Sequence, residues 1–317
     1  MKNLFSPLAK RQRARRANRR GSKLSDKGES SAAIEQYQHA IALDPTWGAP
    51  FYNLGLLHKY RGEWQASLDA NLRATELAPQ DKASWWNLGI AATALGRWDL
   101  ARQAWRSAGL EVPDGEGPLD LPCGFNPIRL DPKGAGETVW SERLDPARAR
   151  LSNIPLADYC YGDVVLNDGA PMGYRKLDGE DVPVFNCLGL LEPSPLSTWC
   201  VQIELDASKL TAGDSAVFAE LDSLARERGL AAEDWSRSVH ILCKACSEGT
   251  AHDHHDSDGA EDGAGADSTP AIVVDEQPHR IAIAAHTRGE VNDLLEDWQP
   301  ARFGARLGSI EIEFSHA

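Results

Sequence analysis

Small residues recur along the first third of the chain at a spacing of 34. Gly21, Gly55 and Gly89 form one series, and Gly28, Gly62 and Gly96 a second. Pro45, Pro79 and Pro113 form a third, and Ala40, Ala74 and Ala108 a fourth. Ala33, Ser67 and Ala101 hold another small position, while Tyr37, Asn71 and Trp105 hold a site where two of three side chains are large aromatics. A fixed period of this length is the mark of stacked supersecondary units, each too small to bury its own apolar face. Two antiparallel helices per unit suit the pattern. Small side chains let helices approach, aromatics fill the space between neighbours, and Gly28, Gly62 and Gly96 fall at the turn within each pair. The Pro series predicts the ends of the second helices, at Asp44-Pro45, Ala78-Pro79 and Val112-Pro113.

Over residues 14–113 the chain resembles the tetratricopeptide repeat (TPR) family. The residues that carry the resemblance are Phe51-x₂-Leu54-Gly55 and Trp85-x₂-Leu88-Gly89, followed by the Ala, aromatic and Pro positions above. The first unit departs from the pattern in its first helix, where Ala17 and Arg20 replace the aromatic and the Leu. The resemblance implies a concave groove lined by the first helix of each pair, with Asn18, Tyr52, Asn53, Lys59, Trp86 and Asn87 near it. It also implies a protein or peptide partner in that groove, with Asn53 and Asn87 placed to bond an extended backbone. Trp86 and Ile90 stand in the third unit where more cationic members carry Lys and Arg. The alternative is that Tyr52 and Trp86 pack against the rest of this protein. No polar capping helix follows Pro113, so the next part of the chain is expected to cover the end of the array.

The expected fold class is multidomain: TPR-like all-α hairpins, then an α+β region. Residues 119–195 show short alternating runs at 137–140, 149–152, 163–166, 173–177 and 182–185. Turn residues at Asn167-Asp168-Gly169 and Asp178-Gly179 separate them, suggesting a small barrel of the SH3-like or OB kind. Residues 197–317 read as a βαββαβ, ferredoxin-like domain. Its expected strands carry Val201 and Ile203, Val239 to Cys243, Ile281 and Ile283, and Ile310 and Ile312. One expected helix, capped by Asp214 or Ser215, carries Phe218 and Leu221, and the other carries Val291, Leu294, Leu295 and Trp298.

Charge divides the chain. Residues 1–27 hold ten Lys and Arg against Asp26, leaving 23 basic and 46 acidic residues in the remainder. Residues 1–13 read as a basic N-terminal arm, and the basic stretch 1–27 either holds an anionic partner, folds back on its own protein or is a solvated helical face. The acidic remainder argues against broad nucleic-acid contact. Outward carboxylates such as Glu311 and Glu313 argue against an RNA-binding sheet. No apolar run approaches the ~20 residues that span a bilayer, and Met1 to Leu8 is too short and broken for a signal peptide. With six Cys in 317 residues, a disulfide scaffold is excluded and a cytoplasmic location is expected.

The sharpest chemical feature is Cys243-x₂-Cys246, followed by His252, His254 and His255. Two thiolates and two of these imidazoles would make a four-coordinate Zn²⁺ site, with His279 and His286 in reserve. Six acids between 251 and 267 would favour a cation, in an acidic, His-bearing insertion over about 247–277 that is expected to be disordered. The alternative reading buries Cys243 in a sheet and leaves the His-Asp run as solvated loop. There is no P-loop, no G-x-S-x-G and no H-E-x-x-H. The expected function is therefore a non-enzymatic adaptor or regulatory interaction protein. The alternative is a zinc protein, structural or catalytic.

Overall fold

The structure, a computed structural model, describes residues 7–132, 136–156, 158–177, 179–206, 208, 213–236 and 278–316. It divides into two compact units. The first comprises residues 1–124, 143–148 and 166–169, and the second comprises 125–142, 149–165 and 170–317.

The first unit is built on six helices: α1 (Pro7–Ser25), α2 (Ser30–Leu43), α3 (Gly48–Tyr60), α4 (Trp64–Leu77), α5 (Lys82–Ala94) and α6 (Trp98–Ala108). They form three TPR-like hairpins, α1 on α2, α3 on α4 and α5 on α6, and each hairpin packs on the next. The 34-residue series explains the packing. A methyl group added at Gly21 would lie 2.6 Å from the Tyr37 ring, at Gly55 2.5 Å from the Asn71 amide, and at Gly89 2.7 Å from the Trp105 ring. Each glycine thus admits the large side chain of its own hairpin partner. Gly28, Gly62 and Gly96 turn between the helices with φ of 77°, 71° and 64°, a region that L side chains avoid.

Two expectations are corrected here. The basic stretch at 7–13 is not an arm apart from the repeats but the first turns of α1, because Pro7 suits a first helical position and Ala, Lys, Arg and Gln propagate a helix. Helix α6 ends at Ala108, with Gly109 left-handed at φ 103°, so Pro113 stops nothing. The end of the array is covered by extended chain held by arginines. Arg106 bonds Val112 O at 3.0 Å, and Arg102 bonds Gly117 O at 2.8 Å. Arg148 donates to Leu119 O at 2.6 Å and lies over the Trp98 ring at 5.1 Å.

A sheet-rich region follows. Strands β1 (Phe125–Arg129), β2 (Thr138–Arg143), β3 (Arg148–Leu151), β4 (Val164–Leu177) and β5 (Glu180–Glu192) close into a barrel. Strand β1 pairs antiparallel with β2 and parallel with β5, and Ile128, Val139, Leu151, Val165 and Phe185 fill the interior. The two expected runs at 163–166 and 173–177 are one continuous strand, β4, and Asn167-Asp168-Gly169 is not a turn. Strand β1 is not legible in the sequence, because Pro127 weakens the strand signal.

The second sheet has the order β7-β8-β6-β9, with all neighbours antiparallel. Its strands are β6 (Ser197–Glu204), β7 (Ala231–Asp234), β8 (His279–Ala285) and β9 (Arg306–Phe314). Helix α7 (Asp214–Glu227) lies between β6 and β7 in the chain, and α8 (Arg288–Trp298) between β8 and β9. Val201, Ile203, Leu221, Ile281, Ile283, Leu294 and Trp298 share one core. Helix α8 opens with a capping box, Thr287 with Glu290. The N-cap position of helix α7 is held by Gly213, one residue before the expected Asp214 or Ser215. The strand expected at Val239 to Cys243 lies outside the described residues, and β7 pairs with β8 instead. No helix among the described residues is long and apolar enough to cross a membrane.

Candidate functional site

Side chains of α3 and α5 close on a segment of the same unit, Leu166 to Gly169 near the start of β4. Asp168 is 2% exposed, and its carboxylate is fully engaged. The Lys59 ammonium donates to Asp168 Oδ1 at 2.7 Å, and the Gly169 backbone N–H donates to the same oxygen at 2.7 Å. The Tyr60 hydroxyl donates to Oδ2 at 2.9 Å. Lys59 donates a second time, to Asn87 Oδ1 at 3.1 Å, so the ammonium bridges the helices and the strand. Lys59 also lies 4.5 Å from the centre of the Tyr60 ring.

The local sequence sets this geometry. Lys59 and Tyr60 end α3, just before the Gly62 turn, and Tyr52 lies two helical turns earlier. Asn87 and Trp86 lie on α5. Trp86 stacks edge-on against Trp105, with centroids 5.2 Å apart, and its indole meets the β4 backbone. A Cβ added at Gly169 would lie 1.6 Å from Trp86 Nε1, so only glycine fits under that ring. The strand is pinned from its other side by Asn167. That amide donates to Pro146 O at 3.2 Å and Asp168 O at 2.9 Å, and the Asn167 N–H donates to Ala147 O at 2.8 Å.

Electrostatics follow from burial. Desolvation lowers the Lys59 ammonium below its ordinary value, and the Asp168 charge opposes that shift. Burial, then the Asp168 carboxylate, raises the Tyr60 phenol well above its ordinary value, so it is a donor at neutral pH. Burial and then Asp81 also raise Tyr52, while a hydrogen bond with Asn87 acts the other way.

Of the six groove residues expected from the sequence, Lys59, Asn87 and Trp86 converge on β4, and Tyr52 joins them through Asn87. Asn53 and Asn18 lie on α3 and α1, where Asn53 donates to Asn18 at 3.0 Å and both are partly exposed. Tyr60, Asp168 and Gly169 are not legible as site residues in the sequence: Tyr60 adjoins Lys59 but falls outside the expected groove positions, and the turn-like composition of Asp168-Gly169 hides a strand.

The expected zinc ligands Cys243, Cys246, His252, His254 and His255 lie outside the described residues. Among the described residues no group of three or more His, Cys, Asp and Glu could hold a metal ion. The two reserve ligands are engaged elsewhere: His279 Nδ1 lies 2.9 Å from Asp234, and His286 Nδ1 lies 3.2 Å from Glu290.

Solved TPR domains are similar to part of this chain. The second TPR of Spaghetti (RPAP3), bound to the HSP90 peptide SRMEEVD, is 22% identical over 32% of this chain and 94% of its own, with a TM-score of 0.31. The Arabidopsis OM64 TPR domain is 16% identical over 31% of this chain and 82% of its own, with a TM-score of 0.30. MamA is 27% identical over 30% of this chain and 56% of its own, with a TM-score of 0.29. The similarity lies in the amino-terminal repeats. No protein-family model and no curated protein matches the chain.

Proposed function

We propose that the chain is a protein-interaction protein whose helical groove recognises an extended segment carrying a carboxylate. One observation supports this reading: side chains of α3 and α5 hold Asp168-Gly169 through an ammonium, a phenol and an indole. These are the groups that read a peptide in a groove. The ammonium and phenol fix a carboxylate, and the indole selects the small residue beside it. The segment is internal, so an external peptide competes with a ligand at high effective concentration. The partly exposed pair Asn18 and Asn53 offers the amino-terminal half of the groove to a partner's backbone. The order β7-β8-β6-β9, with α7 and α8 as its two crossovers, supports a ferredoxin-like carboxy-terminal sheet, and the closed barrel of β1 to β5 supports a small barrel-like β segment before it. Both would serve as further recognition or regulatory surfaces.

Calorimetry with a synthetic peptide of sequence VVLNDGAPMG, taken from β4, tests the reading. The full-length Asp168→Asn protein should take up this peptide, and the same protein carrying Lys59→Met should not. A peptide with Asn in place of its Asp should bind at least about tenfold more weakly, the loss of one charge-assisted contact. If a folded Asp168→Asn protein ignores the peptide, the groove is a structural socket and the reading fails.

A further inference from the structure

Helix α1 carries a charge density that its packing does not use. Lys10, Arg11, Arg13, Arg15, Arg16, Arg19, Arg20 and Lys23 are all exposed, and the helix contains no Asp or Glu. Its buried residues are Ala14, Ala17 and Gly21, a narrow seam. Arg15, Arg16, Arg19, Arg20 and Lys23 fan across the side opposite that seam, at about 100° per residue. The ion pair described on this helix is Arg11 with Asp44, at 3.6 Å on the rim of the fan, with the Arg11 side chain 69% exposed.

We infer that the outer face of α1 binds the phosphodiester backbone of a nucleic acid. Charge spacing is the first argument. Residues 10–23 rise about 20 Å, giving one cation per ~2.5 Å. That lies between the phosphate spacing of one strand of a duplex, ~3.4 Å, and of both strands, ~1.7 Å. Side-chain type is the second. Six of the eight cations are Arg, whose planar fork matches phosphate oxygens and keeps its charge at any working pH. The helix is not built to insert into a membrane. An interfacial helix needs a broad apolar face, and here the small-residue seam is buried while Leu8 is the large exposed apolar side chain on the described helix. The acidic composition of the rest of the chain confines the contact to this one helix, so the footprint is short and insensitive to base sequence.

Fluorescence anisotropy on the full-length protein tests this, with a labelled 20-base-pair duplex and a labelled 20-nucleotide single strand at 50 and 200 mM salt. The wild type should bind in the micromolar range at low salt and weaken steeply at high salt. The variant with Arg15, Arg16, Arg19 and Arg20 all changed to Gln retains helix-forming side chains, which circular dichroism verifies. It should bind at least about tenfold more weakly, and the slope of log affinity against log salt should fall by up to about 3.6 on the duplex. The arm that binds more tightly identifies duplex or single strand. No binding at 50 mM salt, binding unchanged in the variant, or preferential binding to phosphatidylcholine–phosphatidylserine vesicles would overturn the inference.

Discussion

The ammonium of Lys59 and the carboxylate of Asp168 lie 2.7 Å apart, each side chain only 3% exposed, and 109 residues separate them in the chain. Such a pair is costly to break from one side, because the survivor is a buried charge without its partner. Lys59→Met alone and Asp168→Ala alone should each destabilise the helical unit by about 3–5 kcal/mol. Lys59→Met with Asp168→Leu should cost less than the two single changes together, since apolar groups can replace both charges. Urea unfolding followed by helical circular dichroism measures the cycle. Additive losses would mean that the two side chains act independently.

Gly169 lies under Trp86, where a methyl group would come within 1.6 Å of the indole nitrogen. Gly169→Ala must therefore lift β4 off the helices or swing the ring away. Loss of native tryptophan fluorescence and faster exchange of the Gly169 and Asn167 amides are expected. Gly179→Ala serves as a control. Its Cβ would meet nothing within 4 Å, although its φ of 87° carries backbone strain of its own.

The parts of the fold legible in the sequence are those fixed by near neighbours. Gly21, Gly55 and Gly89 face side chains sixteen residues away, in the same hairpin, so their partnership repeats with the period. The site was half legible for the same reason. Lys59, Asn87 and Trp86 occupy positions that the repeat register places on the groove, but their ligand does not belong to the register. Asn-Asp-Gly favours a turn in local terms, and contacts from Lys59 and Tyr60 override that preference. Strand β7 escaped notice because Ala231-Ala232-Glu233-Asp234 has weak strand propensity. Its pairing with β8 and the burial of both alanines hold it in place.

Gly89 offers a separate test of the repeat packing. Its added methyl would press on the fully buried Trp105 ring at 2.7 Å, in a core with no flexible chain end to yield. Overpacking of this kind costs about 1–3 kcal/mol. Gly89→Ala should lower thermal stability by that amount. Gly89→Ala with Trp105→Leu should cost less than the two single changes together, since the smaller side chain vacates the space. Differential scanning calorimetry of these two variants and of Trp105→Leu alone distinguishes relief from simple addition.

Cys160 links the barrel region to pH. It is fully buried, and desolvation, followed by the nearby Asp163 carboxylate, pushes its thiol up to about 11 from an ordinary 9.0. The thiolate is the reactive form, so at pH 8 only about one Cys160 in a thousand is ionised. Native protein treated with iodoacetamide at pH 8 should label the partly exposed Cys123 well before Cys160. Labelling of Cys160 should then rise about tenfold per pH unit until near pH 11. Stability follows the same shift. The folded state keeps the Cys160 proton where the unfolded chain has lost it, so this contribution is intact below pH 9 and is lost as pH rises from 9 through 11. Peptide mapping by mass spectrometry at pH 8, 9 and 10 measures the reactivity, and equal labelling of Cys160 and Cys123 at pH 8 would place Cys160 outside the core.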